Sequence, residues 1–218
     1  MEWTKQIRAV LFDMDGTLLD SEHLTEAAVA EALQRHGAAI AVDCRQFHGV
    51  TWQSVAETLR SLAPQLQNAP LETELQTSFH KGLLETAPAV IPGAPEAVIT
   101  AAQKLGTAIV SSSNRSSVAH VIDRLGLRAH FGQLVCSEDV QRSKPDPQCF
   151  QLAADRLGVD YAHCLVFEDS LAGLQAGRAA GMHTIAIGRG DAKEQWADLV
   201  VSDFKKLPPG FMETLGAK

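Results

Sequence analysis

Two aspartates one residue apart follow a short apolar run near the start of the chain. Residues 9–22 read AVLFDMDGTLLDSE, so Asp13 comes directly after four apolar residues and Asp15 two positions later. Carboxylates this close can hold a divalent cation, attack an electrophilic centre or transfer protons. Taken alone, the pattern fits a turn at a strand end equally well. A chemical role for the two aspartates therefore depends on which other side chains of the sequence are expected to lie near them.

Polar side chains also follow other short apolar runs. The serines of SSSN at 111–114 follow the second run, and Glu168 and Asp169 follow the fourth. Lys144 lies in the loop RSKPDP, between the third and fourth runs. Because ligands bind beyond the carboxyl ends of the strands in an open parallel sheet, we expect these side chains to converge if the runs are strands.

An all-oxygen set of acidic side chains is typical of a Mg²⁺ site. Crowded carboxylates repel each other unless a cation neutralises them. We expect Asp13 and Asp169 to bind the ion, with Glu168 as a further ligand. The alternative for Glu168 is a carboxylate that accepts backbone hydrogen bonds.

Such a site suits the transfer of a phosphoryl group. A metal ion, a lysine ammonium and hydroxyl donors reduce the repulsion between the phosphate oxygens and an attacking nucleophile. Asp13 can then attack phosphorus. Asp15 lies on the same face if the strand geometry persists, so it can protonate the leaving oxygen and later deprotonate the attacking water.

Six short apolar runs predict the strands that position these groups. They lack strict alternation, which is typical of parallel strands buried on both faces. The runs are AVLF at 9–12, AIV at 108–110, LVC at 134–136, CLVF at 164–167, TIAI at 184–187 and LVV at 199–201. Glycines that follow helix-like runs predict helix ends at Gly106, Gly126, Gly158 and Gly181. We therefore predict an α/β fold with a doubly wound, Rossmann-like parallel sheet.

One stretch contains helix-like segments only. It predicts an inserted helical cap at 21–86, with the catalytic core formed by 1–20 and 87–218. Thr51 is a typical N-cap residue for the helical segment WQSVAETLRSLA. The apolar face that this segment predicts carries Val55, Leu59 and Leu62.

Four of these features together resemble the motifs of the haloacid dehalogenase-like phosphohydrolase superfamily. They are DMDGT after the first strand, a serine after the second, a lysine in a KPDP loop and EDS after a later strand. The helical stretch resembles the cap inserted after the first motif in the branch that holds β-phosphoglucomutase and small sugar phosphatases. The resemblance covers the chain from Ile7 to about Ile187. It implies a Rossmann-like core, phosphoryl-transfer activity and Mg²⁺ as the cofactor.

The resemblance implies separate roles for the two aspartates. Asp13 would be the phosphorylated nucleophile and a Mg²⁺ ligand. Asp15 would be the general acid and base, with its main-chain carbonyl also on the metal. Dehalogenases of the superfamily lack the second aspartate, because they protonate no oxygen leaving group, so Asp15 favours phosphoryl transfer.

The resemblance also implies the phosphate-binding and metal-binding residues. Ser111 and Lys144 would bind the phosphoryl oxygens. Glu168 and Asp169 would hold the metal, Asp169 directly and Glu168 directly or through water. The alternatives are a helix-capping hydroxyl for Ser111 and a solvated surface side chain for Lys144.

Two positions depart from the β-phosphoglucomutase pattern. Thr25 stands where that enzyme has a histidine, and Trp52, after HGVT, stands where it has an arginine that grips a second phosphate. Water is therefore the expected phosphoryl acceptor, and we predict a phosphatase for a small sugar phosphate or sugar-acid phosphate. The alternatives are a phosphoglucomutase-like isomerase and a catalytically idle module that binds a phosphorylated ligand.

Further cap and loop residues are candidates for substrate binding. We predict this role for Ser112, Asn114 and Trp52, with helix capping and cap-core packing as the alternatives. The cap histidines are expected to be surface or core imidazoles rather than ligands; they are His23, His48 and His80.

Composition excludes several classes of partner. The 218 residues carry a formal net charge of -7, with a pI near 5.6, so nucleic acid and anionic membranes are not expected partners. No signal peptide or membrane span is indicated, and we expect a cytoplasmic protein. Its four cysteines show no metal-binding spacing and are expected to be reduced thiols. We expect a monomer, with a dimer as the alternative.

Overall fold

The computed structural model of the protein describes residues 1–188 and 193–217. A parallel sheet forms its centre. Its strands are β1 Ala9–Phe12, β2 Gly106–Val110, β3 Gln133–Val135, β4 Cys164–Glu168, β5 His183–Ile187 and β6 Leu199–Val201. The six strands lie in the order β3-β2-β1-β4-β5-β6, and every neighbouring pair is parallel. Each of the six predicted runs forms a strand, although Cys136 of the third run lies just after β3, and the predicted doubly wound α/β fold is confirmed.

Helices pack around the sheet. The described residues contain the α-helices α1 Glu22–Arg35, α2 Trp52–Leu62, α3 Leu71–Thr86, α4 Ala94–Ala102, α5 Arg115–Arg124, α6 Gln148–Leu157, α7 Leu171–Ala179 and α8 Phe211–Thr214. From α4 onwards, helices and strands alternate up to β5, as crossover connections between parallel strands require.

The strands are apolar because both faces of the sheet are covered. All four residues of β1 are fully buried. Phe12 stacks on Phe167 of β4 on one face, with ring centroids 5.3 Å apart, whereas Leu11 and Val166 belong to the apolar cluster on the other face. Alternate residues of a strand point to opposite faces, so a central strand needs an unbroken apolar run.

Three of the four predicted helix-ending glycines have the expected conformation. Gly126, Gly158 and Gly181 have φ values of 68°, 68° and 78°, in the left-handed region that glycine adopts readily. The prediction for Gly106 is wrong. Helix α4 ends at Ala102, and Gly106 is the first residue of β2, where it pairs with Ala9.

The stretch 21–86, here called the helical segment, contains α1, α2 and α3. Thr51 caps α2 as predicted, and its Oγ1 accepts a hydrogen bond from the Ser54 N–H at 3.4 Å. Val55 and Leu59 are fully buried, but Leu62 is 51% exposed, so its predicted place on the buried face is wrong. Leu62 is the last residue of α2, and the chain turns away after it.

The division into a core and a cap stays a prediction, and residues 189–192 and 218 of the predicted core lie outside the described residues.

All four cysteines are free, and three of them are buried, in agreement with the expected reduced thiols. Within the described part of the chain, no helix combines the length and apolar character needed to cross a membrane.

Candidate active site

Three acidic side chains meet at the carboxyl edge of β1 and β4. Asp13 directly follows β1, Glu168 is the last residue of β4, and Asp169 follows it. The two strands are paired in register, and the Asp13 N–H continues the ladder by donating to the Phe167 carbonyl at 3.0 Å. One carboxylate oxygen from each of the three residues lies within 4.8 Å of the others.

Lys144 inserts its ammonium group between two of these carboxylates. Its Nζ donates to Asp13 Oδ1 and to Glu168 Oε1, both at 2.7 Å, and the side chain is buried. Burial alone would lower the pKa of Lys144, but the charges of Asp13 and Glu168 outweigh this effect and raise the pKa well above its usual value. The lysine therefore stays charged, and the alternative of a solvated surface side chain does not hold.

Asp15 is surrounded by hydroxyl donors. Ser21 Oγ donates to Asp15 Oδ1 at 2.7 Å, and Ser113 Oγ donates to Oδ2 at 2.8 Å. Ser111 Oγ lies 3.5 Å from the same Oδ2 and accepts a hydrogen bond from the Ser113 N–H at 3.0 Å. Burial raises the pKa of Asp15, and the hydroxyl donors only partly offset this effect. A carboxyl group with a raised pKa can carry a proton closer to neutral pH.

The oxygens of Glu168 are both occupied by protein donors. Oε1 accepts from Lys144, and Oε2 accepts from the Ser170 N–H at 2.6 Å and from Ser170 Oγ at 2.9 Å. The structure therefore shows the backbone-accepting geometry that was the alternative for Glu168. Asp13 differs, because its Oδ2 is buried and has no hydrogen-bond partner among the described residues.

This acidic cluster fits a divalent cation. The unpartnered Oδ2 of Asp13 needs a positive or donating group, because burying an unpaired acceptor is unfavourable. Burial and the charge of Glu168 raise the pKa of Asp169 to about 8, which shows how poorly the site tolerates a further unneutralised negative charge. An all-oxygen set of this kind is the environment that Mg²⁺ prefers.

Asp169 is held from one side by the loop after β1. Thr17 Oγ1 donates to Asp169 Oδ1 at 3.2 Å. Gly16 has a φ of 80°, and a Cβ atom there would lie 2.1 Å from Asp169 Oδ2. Only glycine satisfies both the positive φ and the close approach, which explains the glycine that follows the two aspartates.

A small cavity of about 30 Å³ opens beside the two aspartates. Its wall combines the sheet edge with the helical segment. The lining residues are Asp13, Asp15, Glu22, Thr25, Gly49, Val50, Trp52, Phe79, Ser112 and Ser113.

The three predicted substrate-binding residues line two neighbouring cavities. Trp52 lines this small cavity and also a second one of about 160 Å³. Ser112 lines the small cavity, but its Oγ donates to the Gly49 carbonyl at 2.7 Å. Asn114 lines only the larger of these two cavities and is the N-cap of α5, where its Oδ1 accepts from the Ser117 N–H at 2.8 Å.

Sequence reasoning missed Ser21 and Glu22 as site residues. Both stand at the end of the DMDGTLLDSE stretch, and the loop returns them to the site because Asp15 forms an isolated bridge with Leu19. Burial and the charges of Asp169 and Asp15 raise the pKa of Glu22 to about 10. The sequence signal for these two residues was their polar side chains directly after the motif. The path of the loop that returns them to the site could not be predicted from the sequence.

The three cap histidines, which were expected to be surface or core imidazoles, lie in different environments. His23 is exposed, and His80 Nδ1 lies 2.9 Å from Ser117 Oγ, between α3 and α5. His48 is partly buried, and its Nε2 lies 3.0 Å from Glu22 Oε2 at the edge of the site.

Comparisons with known proteins place this geometry in a family context. The model of a hydrolase family described as "haloacid dehalogenase-like hydrolase" matches residues 7–181. The fructose-1-phosphate phosphatase of Escherichia coli K12 is 31% identical over 181 residues, which cover 82% of this chain and 95% of that protein. Hexitol phosphatase B of the same organism is 30% identical over 221 residues, covering 95% of this chain and 97% of the relative.

A solved structure supports the same fold. The crystal structure of β-phosphoglucomutase from Clostridium difficile superposes with a TM-score of 0.83 and covers 95% of this chain and 96% of that enzyme. Its sequence identity is 19%, so this likeness concerns the fold alone.

Proposed function

The chain belongs to the haloacid dehalogenase-like hydrolase family, and we propose that it is a Mg²⁺-dependent phosphatase for a small sugar phosphate or sugar-acid phosphate. The family predicted from the motifs is confirmed, and the enzyme class is phosphoric monoester hydrolase. The relatives named as sugar phosphatases support the substrate class.

A single observation supports the reaction most directly. Asp13 has one oxygen paired with the buried Lys144 ammonium and a second oxygen without a partner, next to a cavity that also contains Asp15. A carboxylate that Lys144 holds in place and that hydrogen bonds do not saturate suits attack on phosphorus, and a neighbouring carboxyl group with a raised pKa suits proton transfer.

Asp13, Asp169 and the main-chain carbonyl of Asp15 would hold the metal ion, with Glu168 as a direct or indirect ligand. When bound, Mg²⁺ would neutralise charge on the carboxylates and on the phosphoryl oxygens. Glu168 has protein donors on both oxygens, so Asp13 and Asp169 are the stronger candidates for direct ligation.

The reaction would take place in two transfers. First, a carboxylate oxygen of Asp13 attacks phosphorus, the bond from phosphorus to the leaving oxygen breaks, and Asp15 gives its proton to that oxygen. Lys144 and the Ser111 hydroxyl stabilise the charge on the phosphoryl group. Second, Asp15 takes a proton from a water molecule, the water attacks phosphorus, and the bond to Asp13 breaks to release inorganic phosphate.

Substrate entry would require the helical segment to move. The cavity of about 30 Å³ has room for little more than water, whereas ligand cavities usually measure about 300–1,000 Å³. Hydrogen bonds close the segment over the sheet edge, from Ser112 Oγ to the Gly49 carbonyl and from the Thr51 N–H to Ser143 Oγ at 2.9 Å. Closure of this kind would exclude bulk water during the first transfer.

The wall of the cavity favours hydrolysis over a mutase reaction. Thr25 and Trp52 both line it, and neither side chain carries a positive charge. Among the described residues that line this cavity there is no lysine or arginine to bind the second phosphate of a sugar bisphosphate.

The proposal is tested by a substrate screen with Mg²⁺. Purified protein should release phosphate from phosphorylated sugars or sugar acids more efficiently than from nucleotides. Replacing Asp13 by Asn should lower the rate by at least about 10⁴-fold, because the nucleophile is removed while the size of the side chain is kept.

Two outcomes would contradict the proposal. A well-folded Asp13→Asn protein that still released phosphate would exclude Asp13 as the nucleophile. Isomerisation of a hexose 1-phosphate without phosphate release, after addition of a hexose bisphosphate, would identify a mutase instead.

A further inference from the structure

Two buried polar atoms near the small cavity are unpaired. Glu22 Oε1 and His48 Nε2 are both buried and have no hydrogen-bond partner among the described residues. The two side chains face each other, with His48 Nε2 3.0 Å from Glu22 Oε2, but these atoms are not aligned for a hydrogen bond. Buried polar groups are normally paired, so unpaired ones at a cavity indicate a group supplied from outside the chain.

The proposed catalytic steps do not use Glu22. Asp13 and Asp15 carry out the attack and the proton transfers, yet Glu22 lines the same cavity as these two aspartates. Asp15 marks where the leaving oxygen lies. A side chain that lines the cavity on the helical-segment side therefore meets the leaving group rather than the phosphoryl group.

The other residues that line the cavity indicate which kind of leaving group would fit there. Val50, Trp52 and Phe79 provide an apolar side, and the Trp52 and Phe79 rings lie 5.3 Å apart. Glu22 provides a polar side whose free oxygen can accept a hydrogen bond whatever its protonation state. A carbon chain that carries hydroxyl groups matches both sides. A second anionic group does not match, since none of the described lining residues is a lysine or arginine.

We propose that Glu22, positioned by His48, binds a hydroxyl group of the leaving group, so that the enzyme selects phosphate esters of neutral polyhydroxylated alcohols. This inference rests on the proposed phosphatase function and narrows its substrate class. Glu22 is the specificity-determining residue. His48 is a positioning residue that lies against Glu22 Oε2, while Oε1 has no partner among the described residues and stays available to the substrate.

The test compares two esters that differ in hydroxyl groups. Sorbitol 6-phosphate carries them on its leaving group, and butyl phosphate does not. Values of kcat/KM are measured for both with Mg²⁺, and their ratio gives the selectivity for the polyol. Glu22→Leu should lower this ratio by about 10- to 100-fold, because a site built to pair with a hydroxyl group loses its acceptor.

Two further variants control for charge and folding. Glu22→Gln keeps an oxygen acceptor at the same place and should lower the ratio by only about threefold. Glu26→Leu removes an exposed carboxylate one turn further along α1 and should leave the ratio within about twofold of the wild-type value. Thermal unfolding of each variant reports whether it folds, and Glu22→Gln provides the measurement if the leucine variant does not.

The outcomes separate the inference from the function on which it rests. Equal losses on both esters, with an unchanged ratio, would show that Glu22 has a structural role and would overturn the inference alone. A wild-type protein that released phosphate from neither ester and from none of the phosphorylated sugars and sugar acids of the screen would overturn the proposed function and the inference together.

The role of His48 is tested by a double-variant cycle. His48→Ala should lower the selectivity ratio by about three- to tenfold, and it should add nothing once Glu22 is leucine, because it acts through Glu22. Additive losses in the double variant would exclude the positioning role.

Discussion

The sheet edge and the helical segment contribute to the same cavity, but their polar groups are paired in different ways. At the sheet edge, Lys144 bridges Asp13 and Glu168, and Ser111 and Ser113 lie against Asp15, together with Ser21 from the first position of the helical segment. Asp13 Oδ2 has no partner among the described residues and is the acceptor left for the proposed metal ion. On the side of the helical segment, the wall is apolar apart from a few polar groups, of which Glu22 Oε1 has no partner among the described residues.

This difference in pairing corresponds to the two tasks of an enzyme site, which are stabilisation of the transition state and recognition of the substrate. A dense network of charges and hydrogen bonds holds reacting groups in one geometry before the substrate arrives, which is what stabilisation of a transition state requires. An incompletely paired wall leaves donors and acceptors available to the substrate, which is what recognition requires. Changes at the sheet edge should therefore affect the chemistry of every substrate, whereas changes in the helical segment should affect the choice among substrates.

Among the changes that test this separation of tasks, the largest effect is expected when Asp15 is replaced by Asn. The variant cannot protonate the leaving oxygen, so kcat/KM for a sugar phosphate should fall by about 10²- to 10⁴-fold. For 4-nitrophenyl phosphate, whose leaving group departs without protonation, kcat/KM should fall far less. Initial rates on the two esters provide the measurement.

A matched comparison sharpens this prediction. Glu22→Leu should change the preference between sugar and alkyl esters, while Asp15→Asn should change the preference between poor and good leaving groups. If Asp15→Asn lowered kcat/KM equally for both esters, Asp15 would not be the general acid.

The sheet edge was predictable from the sequence because strands position it. A buried parallel strand requires an apolar run, and the residue after the run must lie at the carboxyl edge of the sheet. Asp13 and Asp169 are therefore located by the runs AVLF and CLVF. Gly106 shows the limit of local patterns, since a glycine after a helix-like run also suits the start of a strand.

The wall formed by the helical segment was not predictable in the same way. Glu22 begins α1, and His48 follows a short 3-10 turn at Cys44–Phe47, so no shared periodicity relates them. Their approach depends on the direction in which α1 leaves the sheet and on the packing of the 3-10 turn against α1. Leu62 shows the same limit, because the apolar period continued to a residue at which the helix ends.

The next largest effect is expected in the pH dependence of the stabilisation of the folded protein by Mg²⁺. Burial and Glu168 raise the pKa of Asp169 to about 8 in the metal-free protein, from an ordinary value of 3.8. Between these values the folded state binds more protons at this group than the unfolded state does, so the contribution of Asp169 to stability falls as pH rises from about 4 to 8. Because Mg²⁺ replaces the proton, it should stabilise the protein more at pH 8 than at pH 5.

Thermal unfolding in EDTA and in saturating Mg²⁺ measures this effect. At about 100 times its Kd, the ion should add about 2.7 kcal/mol, or about 5–10 °C in Tm, at pH 8. The gain should be less than half as large at pH 5. Asp169→Asn should remove most of the difference between the two pH values. An equal gain at both pH values would show that Mg²⁺ does not compete with a proton at this residue.

The smallest effect is expected where the two regions touch. Ser143 Oγ accepts a hydrogen bond from the Thr51 N–H at 2.9 Å, and Ser143 is the residue before Lys144. In Ser143→Ala, the closed arrangement should lose about 0.5–1.5 kcal/mol relative to an open one. We expect kcat/KM to fall by about two- to tenfold on sugar and alkyl esters alike, because closure precedes the reaction of both.

Ser61→Ala is the matched control, since Ser61 is exposed and its Oγ donates within α2 to the Thr58 carbonyl. It should leave both kcat/KM values unchanged. An effect of Ser143→Ala on the polyol ester alone would mean that Ser143 acts through the substrate-binding wall rather than through closure. The contact between the two regions would then belong to recognition, and the separation of chemistry at the sheet edge from selection in the helical segment would not hold at this residue.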